Sequence, residues 1–171
     1  MTDSIIEKIR SQLTGAPVNI EAIIRGLGID VRKDADLPTG ISGQIRKKNG
    51  RYEISAASGE HYFRQRFSLA HELGHYVLHR DLIDEGVDDD TKYRSTEIGD
   101  FYNTSIDYFH EKQANAFAAS VLIPEKLLRK EIEVNDPPKL SYLYKKFQVS
   151  PSAMRWRLGN LRLTEKVELE A

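Results

Sequence analysis

His71, Glu72 and His75 stand in the order H-E-x-x-H, inside the stretch SLAHELGHYVLH (Ser68 to His79) that holds three of the chain's five histidines. On an α-helix, residues four apart lie roughly 40° from each other around the axis and about 6 Å along it, so both imidazoles can converge on one cation. Glu72, one residue further on, can then reach a water held there without being a ligand itself. The plainer reading is a pair of hydrogen-bonded core histidines. Against it, Phe67, Leu69, Ala70, Leu73, Tyr76, Val77 and Leu78 make the surrounding segment apolar, and an unpartnered carboxylate on a buried helix is strongly unfavourable. The pattern points to a divalent metal site. With no cysteine in the chain, thiolate ligands, thiol catalysis and disulfides are excluded, and the donors must be His, Asp or Glu.

Catalytic zinc usually takes three protein ligands and a water. A third ligand from the same segment would follow from a glycine at position 78 and a histidine at position 81, but Leu78 and Asp81 stand there. His79 continues the four-residue spacing; three ligands in line on a straight helix would spread over about 12 Å, too far for one ion with bonds of ~2.1 Å. His79 therefore suits packing or a place behind a ligand. Glu111, on a separate alanine-rich segment, is the better third ligand, and Asn115, four residues later on the same face, is placed to orient a ligand imidazole. His110 is an alternative ligand that points roughly 100° away from Glu111. Tyr76, Tyr93, Tyr102, Tyr108 and Arg94 are candidate donors to a developing oxyanion. Such a site would hold one Zn2+, although another divalent transition metal such as Mn2+ would suit the same donors. With water activated by the ion and Glu72 as proton acceptor, the implied reaction is peptide hydrolysis.

The elements that must position these residues can be read in outline. Ser4 to Leu13 is an amphipathic helix with Ser4 and Glu7 in capping-box order. Asn19 caps a second helix that Gly26 and Gly28 end before a short strand near Ile29 to Arg32. In Gly43 to Ser55, Asn49-Gly50 is a type I′ hairpin signal, with Ile45, Tyr52 and Ile54 facing the core. Phe63 to Arg80 is a long buried helix carrying the histidines. Asp81 to Asn103 is acidic and weakly periodic, a long surface loop or gate, and an exposed edge of the sheet containing the hairpin would accept an extended peptide as an added strand. Ile106 to Leu122 is a helix whose alanines, Ala114 among them, allow close approach of a neighbour. Pro124 can begin a helix over Glu125 to Glu131, and Ser150-Pro151 begins the second helix of a C-terminal pair.

Length and composition bound the rest. One compact domain of 171 residues with 40% hydrophobic and 30% charged residues is expected to fold unaided. The organisation expected is an α+β fold with residues 1–136 as the metal-binding domain and 137–171 as a helical subregion packed on it. The net charge of −1 marks no global nucleic-acid or membrane binder. MTDSIIEKIRSQL lacks the features of a signal peptide, and no stretch approaches ~20 apolar residues, so a cytoplasmic location is expected.

Locally, residues 139–164 contain Lys139, Lys145, Lys146, Arg155, Arg157 and Arg162 and no acid, a charge of +6. A basic two-helix unit with a tight turn could read DNA, with Arg155 and Arg157 as contacts, making the protein a transcription factor whose metal core senses or merely stabilises. The alternative is packing through Leu140, Leu143, Phe147, Met154, Trp156, Leu158 and Leu161.

RQRFSLAHELGHYVLH (Arg64 to His79), EKQANAFAASVLIP (Glu111 to Pro124) and the preceding GISGQI together resemble the ImmA/IrrE family of bacterial metallopeptidases over the central half of the chain. The resemblance implies a small zincin-like α+β domain with a short sheet, His71, His75 and Glu111 as zinc ligands and Glu72 as catalytic base. Gln113 stands where that family often has a second glutamate, which argues for Glu111 as the ligand. The resemblance also implies a protein substrate: a helix-turn-helix repressor, antitoxin-like partner or related regulator whose cleavage relieves repression in a mobile element or stress response.

Overall fold

The structure, a computed structural model, describes residues 2–84, 92–96 and 106–169. The fold is α+β, with eight helices and a small mixed sheet among the described residues. Helix α1 (Thr2–Arg10) buries Ile9. It starts before Ser4, so Ser4 and Glu7 form no cap; Glu7 instead pairs with Arg10 one turn on. Asn19 does cap α2 (Ile20–Gly26), accepting from the Ala22 N–H. Gly28, at φ +78°, makes the left-handed turn out of that helix into β1 (Asp30–Ala35).

β2 (Ile41–Lys48) and β3 (Arg51–Ala57) form the expected hairpin, and Asn49 and Gly50 both take positive φ, as a type I′ turn requires. Ile45 lies opposite Ile54, and Ile45, Tyr52 and Ile54 are all buried. The strand order is β1-β3-β2-β4, with β1 parallel to β3 and the other pairings antiparallel.

Helix α3 (Tyr62–Leu78) is the central element; its N-cap is His61, and His79 closes its C-terminal end. Of the loop expected over 81–103, the structure places α4 (Arg80–Asp84) and β4 (Lys92–Thr96), and the remainder lies outside the described residues. β4 pairs along β2 from Ile41↔Thr96 to Arg46↔Lys92. Both hairpin strands are therefore interior to the sheet, and among the described residues its outermost strands, where an added peptide strand would have to pair, are β1 and β4.

Helix α5 (Tyr108–Leu122) crosses α3 and is capped by Asp107, whose carboxylate accepts from the N–H groups of Phe109 and His110. His110 Nδ1 accepts in return from the Asp107 N–H, completing a capping box. Helix α6 (Glu125–Val134) runs a turn further than expected. The C-terminal pair is α7 (Leu140–Phe147) and α8 (Pro151–Asn160), with Ser150 as N-cap and Pro151 in the first turn, followed by a 3-10 turn at Thr164–Lys166.

A single buried apolar cluster runs from Ile23, Ile54 and Leu73 to Leu143, Phe147, Met154 and Leu158, so both sides of position 136 contribute to it. Two buried arginines tie the pair down. Arg66 of α3 donates to the Gln148 carbonyl where α7 ends in a left-handed residue, and Arg157 of α8 donates to the Ile123 carbonyl that follows α5. Burial lowers the pKa of both guanidinium groups without neutralising them. Arg157 is thus spent inside the protein, contrary to its reading as a DNA contact. Trp156 is the other departure: it keeps 48% of its surface exposed, because it is two residues from buried Met154 and so faces the opposite side of α8.

Candidate metal centre

α3 carries His71 and His75 one turn apart, and both are buried. α5 brings Glu111 to them at the level of a close crossing. A Cβ on Gly74 would lie 3.1 Å from Ala114 Cα and 3.2 Å from the Ala114 carbonyl oxygen, so only the absence of a side chain at 74 allows this approach. Glu111 Oε2 then lies 2.9 Å from His71 Nε2, Glu111 Oε1 lies 2.9 Å from His75 Nε2, and the two Nε2 atoms are 3.1 Å apart.

The opposite ring nitrogens determine what those Nε2 atoms can do. His71 Nδ1 lies 2.8 Å from Asn115 Oδ1, an atom that can only accept, so Nδ1 carries the hydrogen and Nε2 presents a lone pair when the ring is neutral. For His75 the constraint arrives through two steps. His79 Nε2 donates to Gln113 Oε1 at 2.9 Å, which leaves His79 Nδ1 as acceptor of the His75 Nδ1–H at 3.0 Å. His75 Nε2 is then bare as well. Two lone pairs and a carboxylate oxygen crowding one point repel one another unless a cation lies among them.

The charge balance agrees. Burial is the largest influence on His71 and opposes its ionisation, but hydrogen bonding to Glu111 and the charges of Glu72 and Glu111 outweigh it and raise the pKa. Burial dominates at His75, with further opposition from His71, and lowers it to about 4. Burial pushes Glu111 up, but the two imidazoles outweigh this and hold it at about 2. Of the two imidazoles, His71 is thus the one whose protonation the carboxylates favour.

His71, His75 and Glu111 form a group that could hold a metal ion. Ligands ~2.0–2.1 Å from a tetrahedral zinc are about 3.3 Å apart, so the observed separations of 2.9, 2.9 and 3.1 Å need open by only a few tenths of an ångström. The donor set of two imidazoles and a carboxylate fits zinc.

Glu72 is 1% exposed, with its carboxylate beneath β2, where a Cβ on Gly43 would come 3.0 Å from Oε1. His110 does not join the cluster: it caps its own helix and meets His79 edge to face, with ring centroids 4.8 Å apart. Of the candidate oxyanion donors, Tyr76 lies against Arg80, with the Arg80 guanidinium 4.9 Å from its ring centroid, and Tyr108 is an exposed partner of Lys112. The side chains of Tyr93 and Arg94, and all of Tyr102, lie outside the described residues. Gln113, passed over in the sequence as a ligand, emerges as the acceptor that orders His79; its spacing of two from Glu111 was the only local signal. A cleft of about 570 Å³ opens from His71, Glu111 and Asn115 toward α8.

No helix among the described residues is long and apolar enough to cross a membrane. No curated relative matches the chain. Among solved structures, a Mycobacterium tuberculosis transcriptional regulator shares the fold at 19% identity and a TM-score of 0.58 over 93% of this chain. The chain spans about half the length of that protein, 47%. The family model described as the IrrE N-terminal-like domain, Peptidase M78, matches residues 25–159, which include α3, α5 and most of α8. A buried H-E-x-x-H helix, with Glu111 delivered to it by a second helix, is thus the centre of a chain that belongs to the Peptidase M78 (IrrE N-terminal-like) family.

Proposed function

We propose that the protein is a zinc-dependent endopeptidase that cuts a peptide bond in a protein regulator, a helix-turn-helix repressor or antitoxin-like partner, and so relieves repression. The observation that carries this reading is the convergence of His71 Nε2, His75 Nε2 and Glu111 within 3.1 Å of one another, with Glu72 buried on the adjacent position of α3. In this reading His71, His75 and Glu111 hold the metal, Asn115 and His79 set the two imidazole tautomers, and Gln113 sets His79. When bound, the ion supplies Lewis-acid activation of a water and of the scissile carbonyl. Glu72 takes the proton of the attacking water and returns it to the departing amine nitrogen. Burial of the ligands excludes bulk solvent, which strengthens every charge interaction there.

Residues 137–171 serve in this reading as a wall of the same domain, supported by the shared apolar cluster and by Arg66 and Arg157. A DNA-reading role for α7 and α8 would have to work without Arg157. The test is to incubate metal-loaded wild type and Glu72→Gln with purified helix-turn-helix regulators and to look for chelator-sensitive fragments. Fragments from wild type alone support the peptidase. Salt-dependent DNA binding that survives Glu72→Gln, with no fragment from any regulator, would replace it with the regulator reading.

A further inference from the structure

Residues 63, 67 and 71 of α3 form one i, i+4 row, and residues 111, 115 and 119 of α5 form another. All six line the cleft. Each row starts at a metal-binding donor and turns apolar with distance from it: His71 gives way to Phe67 and Phe63, and Glu111 gives way through Asn115 to Ala119. α8 supplies the facing wall with Ala153 and Trp156, one turn apart. Trp156 is large, apolar and half-exposed, while Arg64 of α3, which also lines the cleft, is paired with Glu60 at 3.2 Å.

We propose that this wall is an apolar subsite that holds a bulky aliphatic or aromatic side chain of the polypeptide substrate, and that α8 is a substrate-binding element. The proposal rests on the peptidase reading for the ligand's being a substrate. Phe67 and Phe63 lie about 6 and 12 Å from His71 along the helix axis. An extended chain advances ~3.3 Å per residue, so the side chain held here belongs within about four residues of the bond cut. Among the described lining residues beyond the metal-binding donors, the charged side chain is Arg64, engaged by Glu60, whereas burying a Leu or Phe against Phe67 and Trp156 favours binding by about ten- to a hundred-fold.

Trp156 is the chain's single tryptophan, so its emission reports this wall alone. Full-length, zinc-loaded Glu72→Gln is titrated with a set of short peptides in which one position at a time is Leu, Phe, Ala or Asp. The expected result is a saturable blue shift with Leu or Phe at one position, and binding at least about ten-fold weaker with Ala or Asp there. In Phe67→Ala the selectivity should collapse while zinc stoichiometry and helical content stay unchanged. Equal binding of Leu and Asp peptides, binding seen by calorimetry without a Trp156 response, or no peptide binding at all would overturn the subsite. Wild type assayed on the same set separates the two ideas: cleavage without side-chain preference removes the subsite and leaves the peptidase. A Leu- or Phe-selective shift without cleavage removes the peptidase and leaves the subsite.

Discussion

Gly74 on α3 and Ala114 on α5 meet with no side chain between them: a Cβ added to Gly74 would fall 3.1 Å from Ala114 Cα, tighter than a packed methyl ordinarily sits, so the α5 backbone would have to give by a few tenths of an ångström. This contact lies one residue from His75 and three from Glu111, so the helix separation there determines whether the three donors can share an ion. Gly74→Ala should force the helices apart, lowering stability by about 1–3 kcal/mol and weakening zinc binding. Gly159→Ala, on the exposed side of α8 where nothing lies within 4 Å, should leave both unharmed or raise stability by about 0.5–1 kcal/mol. Urea denaturation with and without zinc measures both; equal effects of the two substitutions would refute the account of the crossing.

Gln113 governs His75 at a distance of two hydrogen bonds. Gln113→Ala removes the acceptor that orients His79, and zinc affinity should fall about 10–100-fold. Gln113→Glu restores an acceptor oxygen and should recover most of it. Competition with a chromophoric chelator gives both values, and an unchanged affinity in Gln113→Ala would show that His75 needs no such support.

The pKa shifts make zinc uptake a proton-linked event. His71 is raised above 6.5, while His75, at about 4, and Glu111, at about 2, are already deprotonated at neutral pH. The metal-free fold therefore gains stability from protonated His71, fully present below pH 6.5 and lost as pH rises through the raised value. Zinc must displace any proton held there, so binding below the raised His71 value should release protons, and affinity should rise with pH until that value is passed and then level off. Calorimetry in buffers of different ionisation enthalpy reads the proton count directly. A binding enthalpy independent of the buffer would contradict it.

Arg66 and Arg157 hold the C-terminal pair by donating to the carbonyls of Gln148 and Ile123. Hydrogen bonds from charged groups contribute about 1.5–3 kcal/mol. Arg66→Met and Arg157→Met should each lower stability by an amount of that order, and the blue-shifted peptide response of Trp156 should weaken in both because its helix is no longer fixed. Denaturation midpoints and Trp156 emission test this together; full stability in both variants would mean that apolar packing alone seats the pair.

Much of this molecule is encoded within a few residues of where it acts. The spacing of four between His71 and His75 places both imidazoles on one face of a helix by geometry alone. Asn49-Gly50 forms its hairpin turn because both residues tolerate positive φ. Asn19, Asp107 and Ser150 cap their helices because short oxygen-bearing side chains reach the first free N–H groups. The tertiary structure decided everything that depends on which face meets which. Glu111 rather than His110 joins His71 and His75 beside the close crossing at Gly74, while His110 turns back to cap its own helix and lies against His79. Arg157 is drawn inward by a carbonyl 34 residues away, Trp156 is turned to the cleft, and residues 92–96 occupy the edge of β2. Local geometry follows from covalent structure and hydrogen-bond reach, whereas these contacts join segments far apart in the chain. Their partners are selected by packing, to which no single stretch of residues holds the key.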